Sequence, residues 1–169
     1  PVDGACETGG AGHGFSESPA DLDLASFYSG VSRVLEHTLD RPAVIFGHSL
    51  GGAVASRFAA EHPDRVRGLV LLSPAGAPSP ESQRQLWLDQ FVMDDHQSAM
   101  DFVRLLYQTP PVYLPVVARA CRWLFQRESV RQLLRSARED YSLTLDPALI
   151  ASLTVPIRLI WGGAERTML

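Results

Sequence analysis

An α/β fold, a partial parallel sheet of central strands interrupted by a helical cap-like insertion, is what this sequence predicts, and three observations carry the prediction. The runs Ala43–Phe46, Val66–Leu72 and Ile157–Trp161 are short and largely apolar, the pattern of strands buried on both faces. An Ala-rich helical stretch from Leu50 to Glu61 separates the first two, which makes a βαβ unit with a right-handed crossover. The stretch from Ala77 to Leu153 is too long for a structureless loop and carries helical periodicity instead.

The elements follow in order. Pro1 to Gly12 is glycine-rich, short of β-branched residues and reads as loop. From Asp23, apolar positions Leu24, Phe27, Tyr28, Val31, Val34 and Leu35 recur at helical spacing, and the pattern stops before Pro42. The Leu50–Glu61 helix closes at His62-Pro63. Within the insertion, Glu81–Met93, His96–Gln108, Pro115–Gln126 and Ser129–Tyr141 are helical by pattern. A last short helix starts with Asp146 as N-cap and Pro147 in the first turn, where a missing N–H costs nothing. The chain therefore divides into a first core portion, 1–76, a helical insertion, 77–153, and a second core portion, 154–169.

Composition excludes several classes. The 169 residues are 46% apolar with net charge −4, which fits a globular domain. No cluster of Lys and Arg with interleaved aromatics points to nucleic acid. No apolar run is long enough to span a bilayer, and Pro1–Gly14 has neither the basic start nor the apolar stretch of a secretory signal. Cys6 and Cys121 are too few for a disulfide framework, and nothing has metal-ligand spacing. The expectation is two incidental thiols in a reducing, cytoplasmic setting, with no metal and no cofactor.

The most informative stretch is Val44-Ile45-Phe46-Gly47-His48-Ser49-Leu50-Gly51-Gly52. It sets G-x-S-x-G between a buried strand and a helix. A sharp strand-to-helix turn forces its central residue into a strained backbone conformation and projects the side chain from the sheet. Glycine at 47 and 51 is expected because a Cβ at either would collide with neighbouring backbone. Ser49 is the expected nucleophile. The Leu50 N–H, at the positive end of the helix, is an expected donor to an oxyanion.

The region resembles the α/β-hydrolase fold family, serine-nucleophile branch, and the likeness runs beyond the turn. Gly12-His13-Gly14-Phe15-Ser16 is similar to the family's loop after its fourth strand. Glu61–Val66 with Gly68–Leu72 resembles its helix end and sixth strand, and Val155–Gly162 its seventh. About half of the chain is covered; the insertion sits where the family carries a variable cap.

The resemblance implies a triad acid four positions beyond the Trp of a Trp-Gly pair. That position is Glu165, where the family more often has Asp. The alternative acid site, after the sixth strand, is occupied by Ser73-Pro74-Ala75-Gly76. Triad order places the base after the acid, yet only Arg166–Leu169 follow, and His13, His37, His48, His62 and His96 all precede it. The family's second oxyanion donor comes from a loop upstream of Pro1. The expectation is therefore an incomplete chain, inactive by itself, with an unpaired sheet edge that favours aggregation.

Ser49 in place of Asp sets aside the branches that use a carboxylate nucleophile. Carboxylesterases, lactonases, carbon–carbon bond hydrolases, thioesterases and acyltransferases remain. The apolar residues of the insertion, Leu86, Trp87, Phe91, Phe102, Trp123 and Phe125 among them, are expected mostly as interhelical core. A remainder lining a pocket for a small apolar acyl substrate is the expected partner. Two other readings stay open: a hydrolase-fold ligand-binding protein without turnover, and the nonfunctional product of a damaged gene.

Overall fold

The computed structural model describes residues 22–164, 166 and 167. Pro1 to Asp21, with the loop expected there, and Glu165 lie outside the described residues. The order is α1 (Leu24–Thr38), β1 (Ala43–His48), α2 (Leu50–Glu61), β2 (Val66–Leu72), α3 (Glu81–Asp89), α4 (His96–Leu105), α5 (Leu114–Phe125), α6 (Glu128–Glu139), α7 (Pro147–Ser152) and β3 (Ile157–Ile160). The strands form a parallel sheet in the order β1-β2-β3. Gly47 stands opposite Leu71, His48 opposite Leu72, and Leu72 opposite Ile160, so all three strands end at one edge.

Local chemistry starts the helices where the sequence places them. Asp23 caps α1 by accepting from Ser26 N–H at 2.7 Å, while Ser26 Oγ accepts from Asp23 N–H at 3.1 Å. The Ser26 side-chain and backbone bonds hold the Asp23 carboxyl below its ordinary range. Asp95 and Ser98 repeat this box at α4. Asp146 accepts from Leu149 N–H at 2.7 Å and starts α7.

Two helices end three or four residues before their apolar pattern does. The spacing predicts α3 through Met93, but it stops at Asp89, and the N–H groups of Gln90, Phe91 and Val92 turn back to carbonyls three residues earlier. That tightening unwinds the helix and drops Met93 into a core as a post-helical residue, 3% exposed. The α4 helix likewise ends at Leu105 rather than Gln108, with the same tightened bonds at Leu106 and Tyr107.

The main core lies between one face of the sheet and the helices α1 and α2. Phe58, Leu69 and Leu71 are essentially sealed there, joined by Leu24, Phe27 and Tyr28. Leu133 of α6 and Leu143 enter the same core. Gln132 and Ser136 of α6 accept from the N–H groups of Leu22 and Leu24, tying the insertion to the start of α1. A second cluster, Met93, Ala99, Phe102, Val103, Leu114 and Ala118, holds α4 against α5. Phe91 packs at 5.1 Å from Phe102 and 5.6 Å from Phe125, so these aromatics are interhelical core as expected.

The sequence predicts strands buried on both faces, and here the structure differs. Val44 and Phe46 of β1 are 50% and 61% exposed, and every residue of β3 is exposed. Successive strand side chains point to opposite faces. Among the described residues, helices cover one face of the sheet and leave the other open. The outer edges of β1 and β3 are likewise unpaired among the described residues.

A polar clasp closes the bottom of α2. The Tyr28 hydroxyl donates to Glu61, Arg57 Nε donates to Glu61 at 2.9 Å, and the Arg57 guanidinium lies 4.4 Å from the Tyr28 ring centre. Burial alone would push the Glu61 carboxyl up, but the bonds from Tyr28 and Arg57 outweigh it and hold the group below its usual value. Burial, then the Glu61 bond, pushes the Tyr28 phenol up.

Two outcomes are expected. Phe58→Ala, at a side chain 0% exposed, should cost about 3–5 kcal/mol in urea unfolding. Tyr28→Phe should raise the Glu61 pKa, read by carboxyl NMR titration. A depressed folded pKa stabilises above the unfolded value and loses that contribution as pH falls through the folded one. The variant should therefore lose less stability on acidification, and that loss should be complete at a higher pH than in wild type.

Candidate active site

At the carboxyl edge of the sheet, β1 runs into α2 through a single residue. Ser49 has φ 52° and ψ −123°, a region that residues with a Cβ rarely occupy. Three backbone hydrogen bonds hold it there. Its N–H donates to Leu72 O at 3.1 Å, and its carbonyl accepts from Gly52 N–H at 2.8 Å and Ala75 N–H at 2.9 Å. Two of these partners belong to the end of β2 and the turn after it, so the bend is clamped by a neighbouring strand.

The Ser49 hydroxyl does not cap α2, and the residue is half-buried. The side chain therefore stays out of the helix's own hydrogen bonding. Leu50, the first helical residue, is half-buried too, and its N–H has no intrahelical acceptor because of its position. A hydroxyl beside a free first-turn N–H can present a nucleophile and a donor to one carbonyl carbon and its oxygen.

The glycines divide differently from the sequence expectation. A Cβ on Gly47 would lie 2.6 Å from Gly51 O and 2.8 Å from Gly52 Cα, so glycine there is obligatory. Gly51 is exposed, and a Cβ on it would meet nothing within 4 Å among the described residues, so the expected collision at 51 does not occur. The constrained residue is its neighbour: a Cβ on Gly52 would lie 2.6 Å from Pro74 Cβ and 2.9 Å from Pro74 Cα. Helix α2 approaches the turn after β2 through Gly52, the second residue of a Gly-Gly pair that the five-residue motif leaves out.

Other expected participants are placed as follows. Ser73, in the alternative acid turn, is buried with φ 39° and donates its N–H to Ile160 O at 2.9 Å, which aligns the ends of β2 and β3. Trp161–Ala164 thus leaves the sheet from the same edge as Ser49. Glu165 lies outside the described residues, as does His13. Arg166, just beyond, donates to the carbonyls of Arg104 and Tyr107 at the end of α4.

Of the described histidines, His37 Nδ1 is 2.8 Å from Arg33 O, and His62 stacks on Phe58 and faces Glu36 at 3.6 Å. His48 is exposed at the end of β1, and His96 is exposed on the first turn of α4. None of the described histidines hydrogen-bonds the Ser49 hydroxyl. Cys121 is a free, half-buried thiol whose pKa burial pushes up, which suppresses thiolate reactivity. A polar depression of about 470 Å³ lined by Asp40, Arg41, Asp64 and Arg65 lies at the opposite, amino-terminal ends of β1 and β2. Ligands of open parallel sheets bind at the carboxyl ends, so Ser49 marks the better site.

The fold and this turn define a hydrolase-type α/β architecture, and comparison with known proteins agrees. The family model for the alpha/beta hydrolase fold matches residues 11–154, and the chain belongs to that family. The match ends before β3 and Glu165. Lipase LipV of Mycobacterium tuberculosis is 46% identical over 66 residues, 39% of this chain and 25% of that protein. Mouse monoglyceride lipase is 27% identical over 180 residues, 92% of this chain and 54% of the lipase. Among solved structures, a Rhodococcus 2-hydroxy-6-oxo-6-phenylhexa-2,4-dienoate hydrolase superposes with a TM-score of 0.68 at 20% identity, covering 89% of this chain and 59% of that one, a likeness of fold. The chain thus spans about half the length of the monoglyceride lipase.

The packing around the turn separates three substitutions. Gly47→Ala and Gly52→Ala should each destabilise by about 1–3 kcal/mol, as overpacking does. Gly51→Ala should leave stability within about 1 kcal/mol of wild type, on the stable side, because alanine favours helix. Thermal melts of the three variants check the order.

Proposed function

We propose that Ser49 is the nucleophile of a serine hydrolase acting on an ester or related acyl bond, with the Leu50 N–H as one oxyanion donor and Glu165 as the triad acid. One observation carries the reading: a serine with φ 52° on the crest between a parallel strand and a helix, its hydroxyl unused by the helix cap. No structural need accounts for a strained, non-glycine residue there. Attack on a carbonyl needs just such presentation. The relatives that bear lipase names support the reaction class.

A serine hydroxyl is a weak nucleophile until a histidine takes its proton, and no histidine in these 169 residues follows Glu165. The base and the second oxyanion donor are assigned to other parts of a whole protein. The division of the chain into core, 1–76 and 154–169, and cap, 77–153, belongs to the same proposal. The substrate proposed with it is a small molecule with an apolar acyl part.

In the whole protein, fluorophosphonate should label Ser49, and hydrolysis of a p-nitrophenyl ester should fall on the order of a million-fold in Ser49→Ala. The 169-residue chain alone should show turnover lower by a similar factor. Label that persists unchanged in Ser49→Ala rejects the assigned nucleophile.

A further inference from the structure

Helix α5 is apolar on two opposite faces, and among the described residues only one of them is covered. Its inner face buries Leu114 and Ala118 in the α4–α5 core, with Val117, Cys121 and Phe125 packed around them. On the outer side, Val112 is 100% exposed, Tyr113 57%, Val116 70% and Trp123 67%. Val112 and Tyr113 form the turn that leads into the helix, and Val116, Ala120 and Trp123 follow at intervals of one turn, so the stripe is continuous. Single exposed apolar side chains are ordinary; a row of them on one helix, with two aromatics, marks a contact surface.

Charge indicates the contact. The whole chain carries −4, yet Val112–Arg127 holds Arg119, Arg122 and Arg127 and no acidic residue. Arg119 is exposed in the stripe itself, and the Arg127 guanidinium lies over the Trp123 ring at 5.6 Å. Arg122 reaches back to Asp94 O at 2.8 Å and so braces the helix against the turn after α3. Twelve residues with two internal arginines cannot cross a bilayer, and no described helix is long and apolar enough to do so. An exposed face of Val, Tyr and Trp flanked by arginines is the composition of a helix lying in a membrane interface, with the aromatic rings at headgroup level.

We infer that the outer face of α5 docks on an anionic phospholipid surface, with Val112, Val116 and Trp123 entering the interface and Arg119 and Arg127 meeting the headgroup phosphates. The inference does not depend on the role of Ser49. These side chains face outward, so replacing them leaves the α4–α5 core intact.

Vesicle co-sedimentation tests it, with the protein mixed with phosphatidylcholine vesicles that do or do not contain phosphatidylglycerol. Binding is expected to the anionic vesicles and to be released by salt. The double variant Val116→Ser, Trp123→Ser should weaken it about tenfold, as binding follows buried apolar area. Arg119→Gln should weaken it about fivefold, the worth of one arginine near an anionic surface. Tyr113→Ser provides a second apolar variant, and circular dichroism should be unchanged in all of them. The proposal is overturned if the protein ignores anionic vesicles or if the variants bind as wild type. A dimer dissolved by the same variants would also overturn it, because a second copy would then own the face.

Discussion

Ser49 bends the chain against its own preference, and the hydrogen bonds it makes to the end of β2 are what keep it bent. Its N–H is spent on Leu72 and its carbonyl on Ala75, so the angle between β1 and α2 is set by the neighbouring strand as much as by the turn. The parallel register of β1 with β2 places those partners within reach, and Gly47 and Gly52 allow the helix to close on the bend. Were the register to slip by one residue, every alternate side chain would change faces and the clamp would lose its partners. Backbone strain of this kind persists only where surrounding structure over-determines it. Here the over-determination comes from the three backbone hydrogen bonds of Ser49 and the close packing at Gly47 and Gly52.

The remainder of the molecule reads as support for that corner. The Tyr28–Glu61–Arg57 clasp fixes the far end of α2, and α6 ties back to α1 through Gln132 and Ser136. Ser73 repeats the positive φ one strand over and hands its N–H to Ile160, so the three strand ends stay level and one loop cluster shares their edge. The α4–α5 pair has a separate core, and among the described residues its outer surface is exposed.

Much of this was legible in the sequence because the signals are local. The limits of α2 and β2 follow from a Ser-to-helix turn, an Ala-rich stretch and a His-Pro stop, each acting within a few residues. Asp146 as a cap and the parallel sheet were equally readable. What could not be read depends on partners far along the chain. The burial of Val44 and Phe46 depends on what covers the second face of the sheet, and their apolar character says nothing of that. The clash that demands glycine sits at Gly52 rather than Gly51 because Pro74, from a different strand's turn, is the obstacle. The early end of α3 is similar: its apolar pattern continues to Met93, but the last part of that pattern serves a turn that folds Met93 into the α4–α5 core.

The central claim, that position 49 carries backbone strain imposed by the bend, is tested most directly by comparing the unfolding free energies of Ser49→Gly and Ser49→Ala. At an ordinary position the glycine variant is the weaker by up to about 1 kcal/mol, since glycine loses more freedom on folding. With φ at 52°, removing the Cβ relieves strain on the order of 1–3 kcal/mol. Ser49→Gly should therefore be the more stable of the two by roughly 1 kcal/mol in urea unfolding. A glycine variant weaker than the alanine one would contradict the strained crest on which the account of Ser49 stands.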